Sequence, residues 1–313
     1  MLSVKEAADF YDVSPARLKQ IFSENKDLEI CRRPNGYIKI PPQTMEKLNS
    51  LRGVTYKRKL ISISCEKGGI GKSVLTLFSA INTSLYGIRT CVINVDPEMC
   101  SDLFLAKDSL DLTNTPNLFT AFSENRQLIE FVKESRYPFV DFIPASTKIR
   151  RLERTLGDKN PKYLFKNLME GLKEEYGAIF FDLPPSFNQL CRSVYLTVDE
   201  VIMPVCPDIF SLESLFLTRE DIEAACQEYD VQPPRVQVLK NRFSASKNSA
   251  KEVTAELNRE FAENLLDLQI KDCAAITNAL NSGQALHEIK GNHNLKQAFN
   301  DLTTQIFELD TGR

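Results

Sequence analysis

The sequence contains no apolar run that approaches the roughly 18 residues of a membrane-spanning helix. Its first residues, MLSVKEAADFYD, lack the basic-then-apolar layout of a signal peptide. Only two histidines are present, His287 and His293, and the eight cysteines include no C-x-x-C pair. These absences argue against a membrane protein, a secreted disulfide scaffold and a His/Cys metal centre. We therefore expect a cytoplasmic protein with reduced cysteines and no membrane partner.

The charge is unevenly distributed along the 313 residues, although the net charge is only -3. Residues 1–59 hold 12 Lys/Arg and 7 Asp/Glu, which leaves 27 and 35 of the totals of 39 and 42 for the rest. The basic excess of the N-terminal segment favours a nucleic-acid contact there, but an ordinary solvated surface would give the same count.

The N-terminal segment has the pattern of a small DNA-binding unit. Ser3 is placed to cap a first helix with Glu6 three residues later, and Ser14-Pro15 is placed to open a second. An Asn-Gly turn at positions 35–36 between two β-prone runs predicts a hairpin. We interpret residues 1–50 as winged helix-turn-helix-like, with Arg17 and Lys19 near DNA; a helical appendage that only packs or dimerises is the alternative.

After a charged linker at 51–59, strand-like and helical segments alternate from residue 60 to 313. Short apolar runs at 60–65, 90–95, 139–143, 178–182, 200–205 and 235–239 predict buried strands. Buried strands that alternate with helices predict an α/β fold with a doubly wound, mostly parallel sheet.

A glycine-rich segment follows the first of these strands directly. It reads Glu66-Lys67-Gly68-Gly69-Ile70-Gly71-Lys72-Ser73 and leads into a helical run. Glycines allow the backbone N–H groups and the helix N-terminus to face a polyphosphate. Lys72 is then expected to pair with the β- and γ-phosphates, and the Ser73 hydroxyl to bind Mg²⁺. The ordinary phosphate loop has Gly at position 66, and here a second lysine, Lys67, precedes the glycines.

The segment K-G-G-x-G-K-S resembles the deviant Walker A box of the ParA/MinD family, and the resemblance covers roughly residues 59–310. It implies ATP as nucleotide, Mg²⁺ as cofactor, and a homodimer in which Lys67 reaches the partner's ATP. A cation supplied in this way would neutralise charge that develops during phosphoryl transfer.

Two further boxes are similar to those of the family. Asp96, in Asn94-Val95-Asp96-Pro97-Glu98, matches the carboxylate implied to position Mg²⁺ and the attacking water, or else it only caps a turn. Asn94 stands where a first Asp is usual, Glu98 where Gln is usual, and Val74 where Thr often follows the box. Asp182 ends an apolar strand and matches the Walker B carboxylate that holds Mg²⁺ through a water.

The resemblance gives the following site. The catalytic residues are Lys67, Lys72 and Asp96; the nucleotide-binding residues are Gly68, Gly69, Ile70, Gly71, Lys72, Ser73, Val74 and Asn241; and the metal-binding residues are Ser73, Asp96 and Asp182. Asn241 is an implied adenine contact or else a plain turn residue. Non-specific DNA binding is implied for basic residues of the C-terminal third, which offers only Arg242, Lys247, Lys251 and Lys271.

Together these features predict a slow ATPase for DNA segregation, associated with the nucleoid and stimulated by a ParB-like centromere-binding protein. Residues 1–50 would add operator binding. One alternative is a scaffold that positions a cargo complex and uses ATP only as a dimer clamp. Another is an ATP-sensing transcriptional repressor. ATP-dependent binding to random duplex DNA would distinguish the first reading from the other two.

Overall fold

The structure, a computed structural model, describes residues 1–34, 36–155, 160–243 and 248–309. Its strands are β1 (Leu2–Ser3), β2 (Cys31–Arg32), β3 (Ile38–Ile40), β4 (Lys59–Ile63), β5 (Thr90–Asn94), β6 (Lys133–Glu134), β7 (Val140–Ile143), β8 (Ala178–Asp182), β9 (Glu200–Val205), β10 (Arg235–Phe243) and β11 (Leu265–Lys271). Its helices are α1 (Val4–Phe10), α2 (Pro15–Glu24), α3 (Pro42–Arg52), α4 (Lys72–Leu85), α5 (Cys100–Leu105), α6 (Leu118–Glu124), α7 (Ile149–Thr155), α8 (Pro161–Leu164), α9 (Leu172–Glu175), α10 (Gln189–Tyr195), α11 (Ile209–Glu228), α12 (Asn248–Glu260), α13 (Ala274–Asn281) and α14 (His293–Phe307), with 3-10 turns at Leu128–Phe131 and Lys166–Leu168.

Eight strands form one sheet in the order β11-β10-β9-β4-β8-β5-β7-β6. Every pairing in it is parallel except that of the short edge strand β6 with β7. The order of the strands in the sheet differs from their order in the chain. The connections therefore cross over the sheet, and a core cluster covers each of its faces. The predicted doubly wound, mostly parallel α/β sheet is confirmed.

The central strands are apolar along their whole length because both faces of the sheet are covered. Every residue of β4, β5, β8 and β9 is buried. Neighbouring side chains belong to opposite cores: Phe181 packs into the cluster on one face and Phe180 into the cluster on the other. A rigid sheet of this kind fixes where the carboxyl ends of its strands lie.

The N-terminal segment folds as predicted at its helix starts. Ser3 and Glu6 form a reciprocal capping box on α1, and Ser14 caps α2 with Pro15 in the first turn. β1, β3 and β2 form a separate antiparallel sheet. The Asn35 position of the predicted hairpin turn lies outside the described residues, while Gly36 adopts a left-handed φ of 78°. The winged helix-turn-helix reading stays a prediction.

This segment shares its core with the ATPase-like region. Its buried residues cluster with Leu85 and Tyr86, at the C-terminal end of α4. Asn49 of α3 donates a hydrogen bond to the Tyr86 carbonyl at 2.7 Å, and the rings of Phe10 and Tyr86 meet edge-on at 4.9 Å. α3 continues to Arg52 and β4 begins at Lys59, so residues 53–58 connect the two. The predicted domain boundaries stay predictions.

Candidate nucleotide site

The predicted phosphate loop lies between the C-terminal end of β4 and the N-terminal end of α4. Gly69 and Gly71 have φ angles of 74° and 89°, in the left-handed region that favours glycine. A Cβ atom on Gly71 would also come within 3.2 Å of the Asn241 amide nitrogen. The loop therefore combines a tight backbone turn with the free N-terminus of a 14-residue helix, which is the arrangement that binds phosphate groups.

Lys72 is folded back over this loop. Its side-chain nitrogen donates a hydrogen bond to the Lys67 carbonyl at 2.7 Å. Burial lowers the pKa of Lys72, while the nearby carboxylates of Asp182 and Asp96 act in the opposite direction. The ammonium group therefore contacts the loop and is close enough to both predicted acidic residues for their charges to act on it.

Asp182 is buried at the carboxyl end of β8 and has no exposed surface. Neither of its carboxylate oxygens has a hydrogen-bond partner of regular geometry among the described residues. Burial raises the pKa of Asp182 to about 6, and the hydroxyls of Ser101 and Ser73 beside it oppose that rise. A buried carboxylate with two available oxygens next to a serine hydroxyl suits Mg²⁺, which prefers oxygen ligands and retains bound waters.

Asp96 begins the loop that follows β5. Its backbone N–H donates to the Asn94 side chain at 2.8 Å, and its own carboxylate accepts from the Glu98 N–H at 2.9 Å. Asn94 is paired in register with Asp182 on the neighbouring strand. Asp96 and Asp182 therefore lie at the same edge of the sheet, beside the phosphate loop.

Lys67 is held by its own chain. Its side-chain nitrogen lies 2.5 Å from Asp208, which also caps α11 through the Ser211 N–H. Both side chains are partly exposed. The predicted reach of Lys67 across a dimer interface stays a prediction, and the sequence had not indicated Asp208 as its partner within one chain.

Asn241 contacts the loop from the side of β10. Its amide nitrogen donates to the Ile70 carbonyl at 2.7 Å, and Arg242 donates to the Gly69 carbonyl at 3.1 Å. A small cavity of about 80 Å³ is lined by Gly71, Asn241, Arg242, Lys271 and Asp272 among others. This is where an adenine contact by Asn241 would occur, and that role stays a prediction.

The residues proposed from sequence to contact DNA lie on several elements, and their role stays a prediction. Arg17 and Lys19 are exposed on α2, and Lys251 is exposed on α12. Arg242 and Lys271 line the small cavity beside the phosphate loop. Lys247 lies outside the described residues.

Sequence reasoning missed two acidic groups near the loop, one fully buried and one partly exposed. Asp102 of α5 has no exposed surface, and burial raises its pKa to about 8. Glu66 lies near Asp221 of α11, and burial together with this neighbouring carboxyl group raises the pKa of Glu66 to about 7. The sequence did hold an indication of each. Glu66 stands where the ordinary phosphate loop has Gly, and Asn94, near Asp102, stands where the family usually has Asp.

Comparisons with known proteins agree with this architecture. A family model described as "AAA domain" matches residues 58–232, more than half of the chain. The chain belongs to this family. It is similar to the cell division protein PomZ of Myxococcus xanthus, with 24% identity over 219 residues that cover 70% of this chain and 68% of PomZ. The chromosome partitioning protein ParA of the same bacterium is 23% identical over 69% of this chain and 76% of its own.

A solved structure supports the fold of this ParA-type chain. The ATP complex of a McdA variant from Cyanothece superimposes with a TM-score of 0.71 at 17% identity, covering 80% of this chain and 96% of McdA. At that identity the likeness concerns the fold. The described residues contain no helix long and apolar enough to cross a membrane.

Proposed function

We propose that this chain is an ATP-hydrolysing DNA-segregation protein that dimerises around ATP and Mg²⁺, binds DNA non-specifically in that state, and is released by hydrolysis. The observation that carries the proposal is that Lys72 folds back onto a glycine-rich loop, while the buried Asp182 ends the strand paired with the one that leads into this loop. The similarity to the chromosome partitioning protein ParA and the cell division protein PomZ supports the same class of role.

The site residues divide the work. Lys72, Ser73 and the loop backbone would bind the phosphates, and Ser73 and Asp182 would hold Mg²⁺, Asp182 through a water. Asp96 orients the attacking water, which needs a carboxylate close to the γ-phosphate. Bound Mg²⁺ would supply charge neutralisation at the phosphate oxygens. Hydrolysis then removes the group that holds the dimer together.

The surface around Lys67 supports dimerisation. Ile209 and Phe210 follow Asp208 directly and are 56% and 70% exposed. Exposed apolar side chains grouped beside a functional residue are typical of an interaction surface. A second subunit that covers this surface would bring the partner's Lys67 towards the bound nucleotide.

The remaining roles rest on the resemblance. A ParB-like partner would stimulate hydrolysis, and association with the nucleoid would follow from DNA binding. The exposed Arg17 and Lys19 of α2 would take part in operator binding by residues 1–50. These residues are separated from the phosphate loop, so operator binding and nucleotide-dependent binding can be tested independently.

The deciding experiment measures binding of a fluorescent random-sequence duplex without nucleotide, with ADP and with ATP. ATP is expected to raise the affinity at least about tenfold, because dimerisation doubles the number of phosphate contacts. Lys67→Ala should abolish the gain. The control Lys57→Ala removes an exposed lysine that pairs only with Glu308 among its salt bridges in the described part of the chain, and should preserve the gain.

Other outcomes would favour the other functions. If ATP drives dimerisation of the wild type but does not promote DNA binding, the chain is a positioning scaffold. If binding ignores nucleotide, prefers one sequence and is lost in Arg17→Glu/Lys19→Glu, the chain is a repressor and the segregation proposal is wrong.

A further inference from the structure

Asn94 and Asp102 form an unusual pair behind the candidate magnesium site. Asn94 ends β5, Asp102 lies in the short helix that follows, and neither has exposed surface. The Asn94 oxygen already accepts from the Asp96 N–H at 2.8 Å. Its amide nitrogen is therefore the group left to face a second partner.

Asp102 is the acceptor on that side. One of its oxygens accepts from the Ala145 N–H, just after β7, at 2.8 Å. The other oxygen, like the Asn94 amide nitrogen, has no hydrogen bond of regular geometry within the described residues. The two side chains are nevertheless close enough that Asn94 opposes the burial that raises the pKa of Asp102. A donor and an acceptor thus lie side by side in a fully buried place, where an unmade hydrogen bond is costly.

The position of the pair links it to the reaction. Hydrogen bonds join Ala145 to Asp102 and Asn94 to the backbone of Asp96, and the side chains of Asp102 and Asn94 are neighbours between these two bonds. On its other side, Asn94 is in register with Asp182. The family that this chain resembles usually has an aspartate at position 94. An aspartate there would place a third carboxylate between Asp102 and Asp182. Adjacent buried carboxylates cannot all be ionised without large cost.

We propose that Asp102 is a positioning residue for ATP hydrolysis in this chain. It carries the carboxylate that the family usually has at position 94, and through Asn94 it fixes the turn that presents Asp96. The inference rests on the proposed ATPase function. It assigns Asp102 no contact with nucleotide or metal, because its side chain is fully buried and one of its oxygens bonds the Ala145 backbone.

The test is a reciprocal exchange measured in the full-length protein. Wild type, Asp102→Asn, Asn94→Asp and the double variant Asn94→Asp/Asp102→Asn are compared for kcat, KM for ATP, the Mg²⁺ concentration at half-maximal rate, and affinity for a fluorescent ATP analogue. Thermal melting of each nucleotide-free variant is recorded as well. Asp141→Asn is the control, because this half-buried carboxylate on the neighbouring strand β7 bonds Tyr176 instead.

Each single variant is expected to lower kcat about tenfold with KM and analogue affinity changed less than about twofold, the pattern of a group that matters in the transition state. The double variant restores one donor and one acceptor, so its kcat should return to within about threefold of wild type, a strong departure from additivity. Asp141→Asn should leave kcat unchanged.

Two results would overturn the inference. One is a double variant in which the fold-decrease of kcat equals the product of the fold-decreases in the two single variants. The other is an Asp102→Asn protein that melts at lower temperature while kcat stays at the wild-type value. If Asp102→Asn does not fold, Asn94→Asp decides, because it keeps an oxygen for the Asp96 N–H and removes only the amide donor; an unchanged kcat in Asn94→Asp would then overturn the inference. A wild type that neither binds the analogue nor hydrolyses ATP would refute the proposed function itself.

Discussion

Glu66 and Asp221 bring two carboxyl groups together at the first residue of the phosphate loop. The Glu66 N–H also donates to the Thr218 hydroxyl at 3.2 Å, so this end of the loop is anchored on α11. Arg219 on α11 and Lys67 in the loop are the cations next to these residues in the sequence. The protonation state of this carboxyl pair therefore affects how the first residue of the phosphate loop is held against α11.

Glu66→Gln should remove a pH dependence of stability. The pKa of Glu66 is raised to about 7 in the folded protein from 4.5, so the folded state holds the proton to higher pH and wild-type stability falls as pH rises through that window. Relative to wild type, Glu66→Gln should gain about 1 kcal/mol between pH 5 and about 8, a figure reduced for partial exposure. Urea unfolding at both pH values measures it.

The control for this prediction is Glu263→Gln, at an exposed position. It should follow the wild-type pH dependence. If Glu66→Gln and Glu263→Gln change in parallel, the carboxyl pair does not set the pH dependence.

The residues of the candidate site that could be predicted are those marked by a short sequence pattern. Lys72 and Ser73 follow from the spacing of the glycines, and Asp96 and Asp182 from their places after apolar runs. Asp102 and Asp208 were not predictable in this way. Their contacts, with Asn94 and Lys67, depend on how separate segments pack, and no local spacing encodes that.

At the scale of elements, Gly87 is the point where α3 docks behind α4. Its φ is 77°, and a Cβ there would overlap the Glu46 backbone nitrogen. Gly36 has nearly the same φ, 78°, with nothing within 4 Å of its Cβ position. A comparison of alanine substitutions at the two glycines therefore separates the cost of left-handed backbone strain from the cost of a steric clash.

Gly87→Ala is expected to cost about 2–4 kcal/mol of unfolding free energy, from left-handed strain plus forced separation of α3. Gly36→Ala should cost only about 1 kcal/mol, because it adds the strain alone. Denaturant unfolding of both variants measures the difference. Equal losses would mean that α3 moves away from Gly87 at little cost.

The strands found from sequence were the inner ones. Complete burial makes β4, β5, β8 and β9 read as continuous apolar runs. β11 and β6 were missed because they are edge strands. β11 alternates buried and exposed residues, and β6 has two residues only, so neither gives a run that stands out.

At the scale of the whole molecule, residues 1–53 and the ATPase region are joined by a common core. Leu85 and Tyr86 are only 4% exposed because the N-terminal segment covers them. Separate unfolding of the two parts would expose these groups.

Calorimetry should therefore show one cooperative transition for the nucleotide-free chain. Tyr86→Ala, which removes the ring that Phe10 contacts, should lower the midpoint of that single transition. Leu103→Ala, at a position that is 67% exposed, serves as control and should leave the midpoint within about one or two degrees of the wild-type value. Two resolved transitions in the wild type would contradict the common core.

α4 has the phosphate loop at one end and the shared core at the other, about 21 Å apart for 14 residues. Residues 1–53 therefore do not form an independent module, because their core is completed by the end of α4. An engineer who wished to transplant residues 1–53 onto another ATPase would need to carry over the receiving surface at Leu85, Tyr86 and Gly87 as well. By the same reasoning, relatives without that surface should not tolerate the graft.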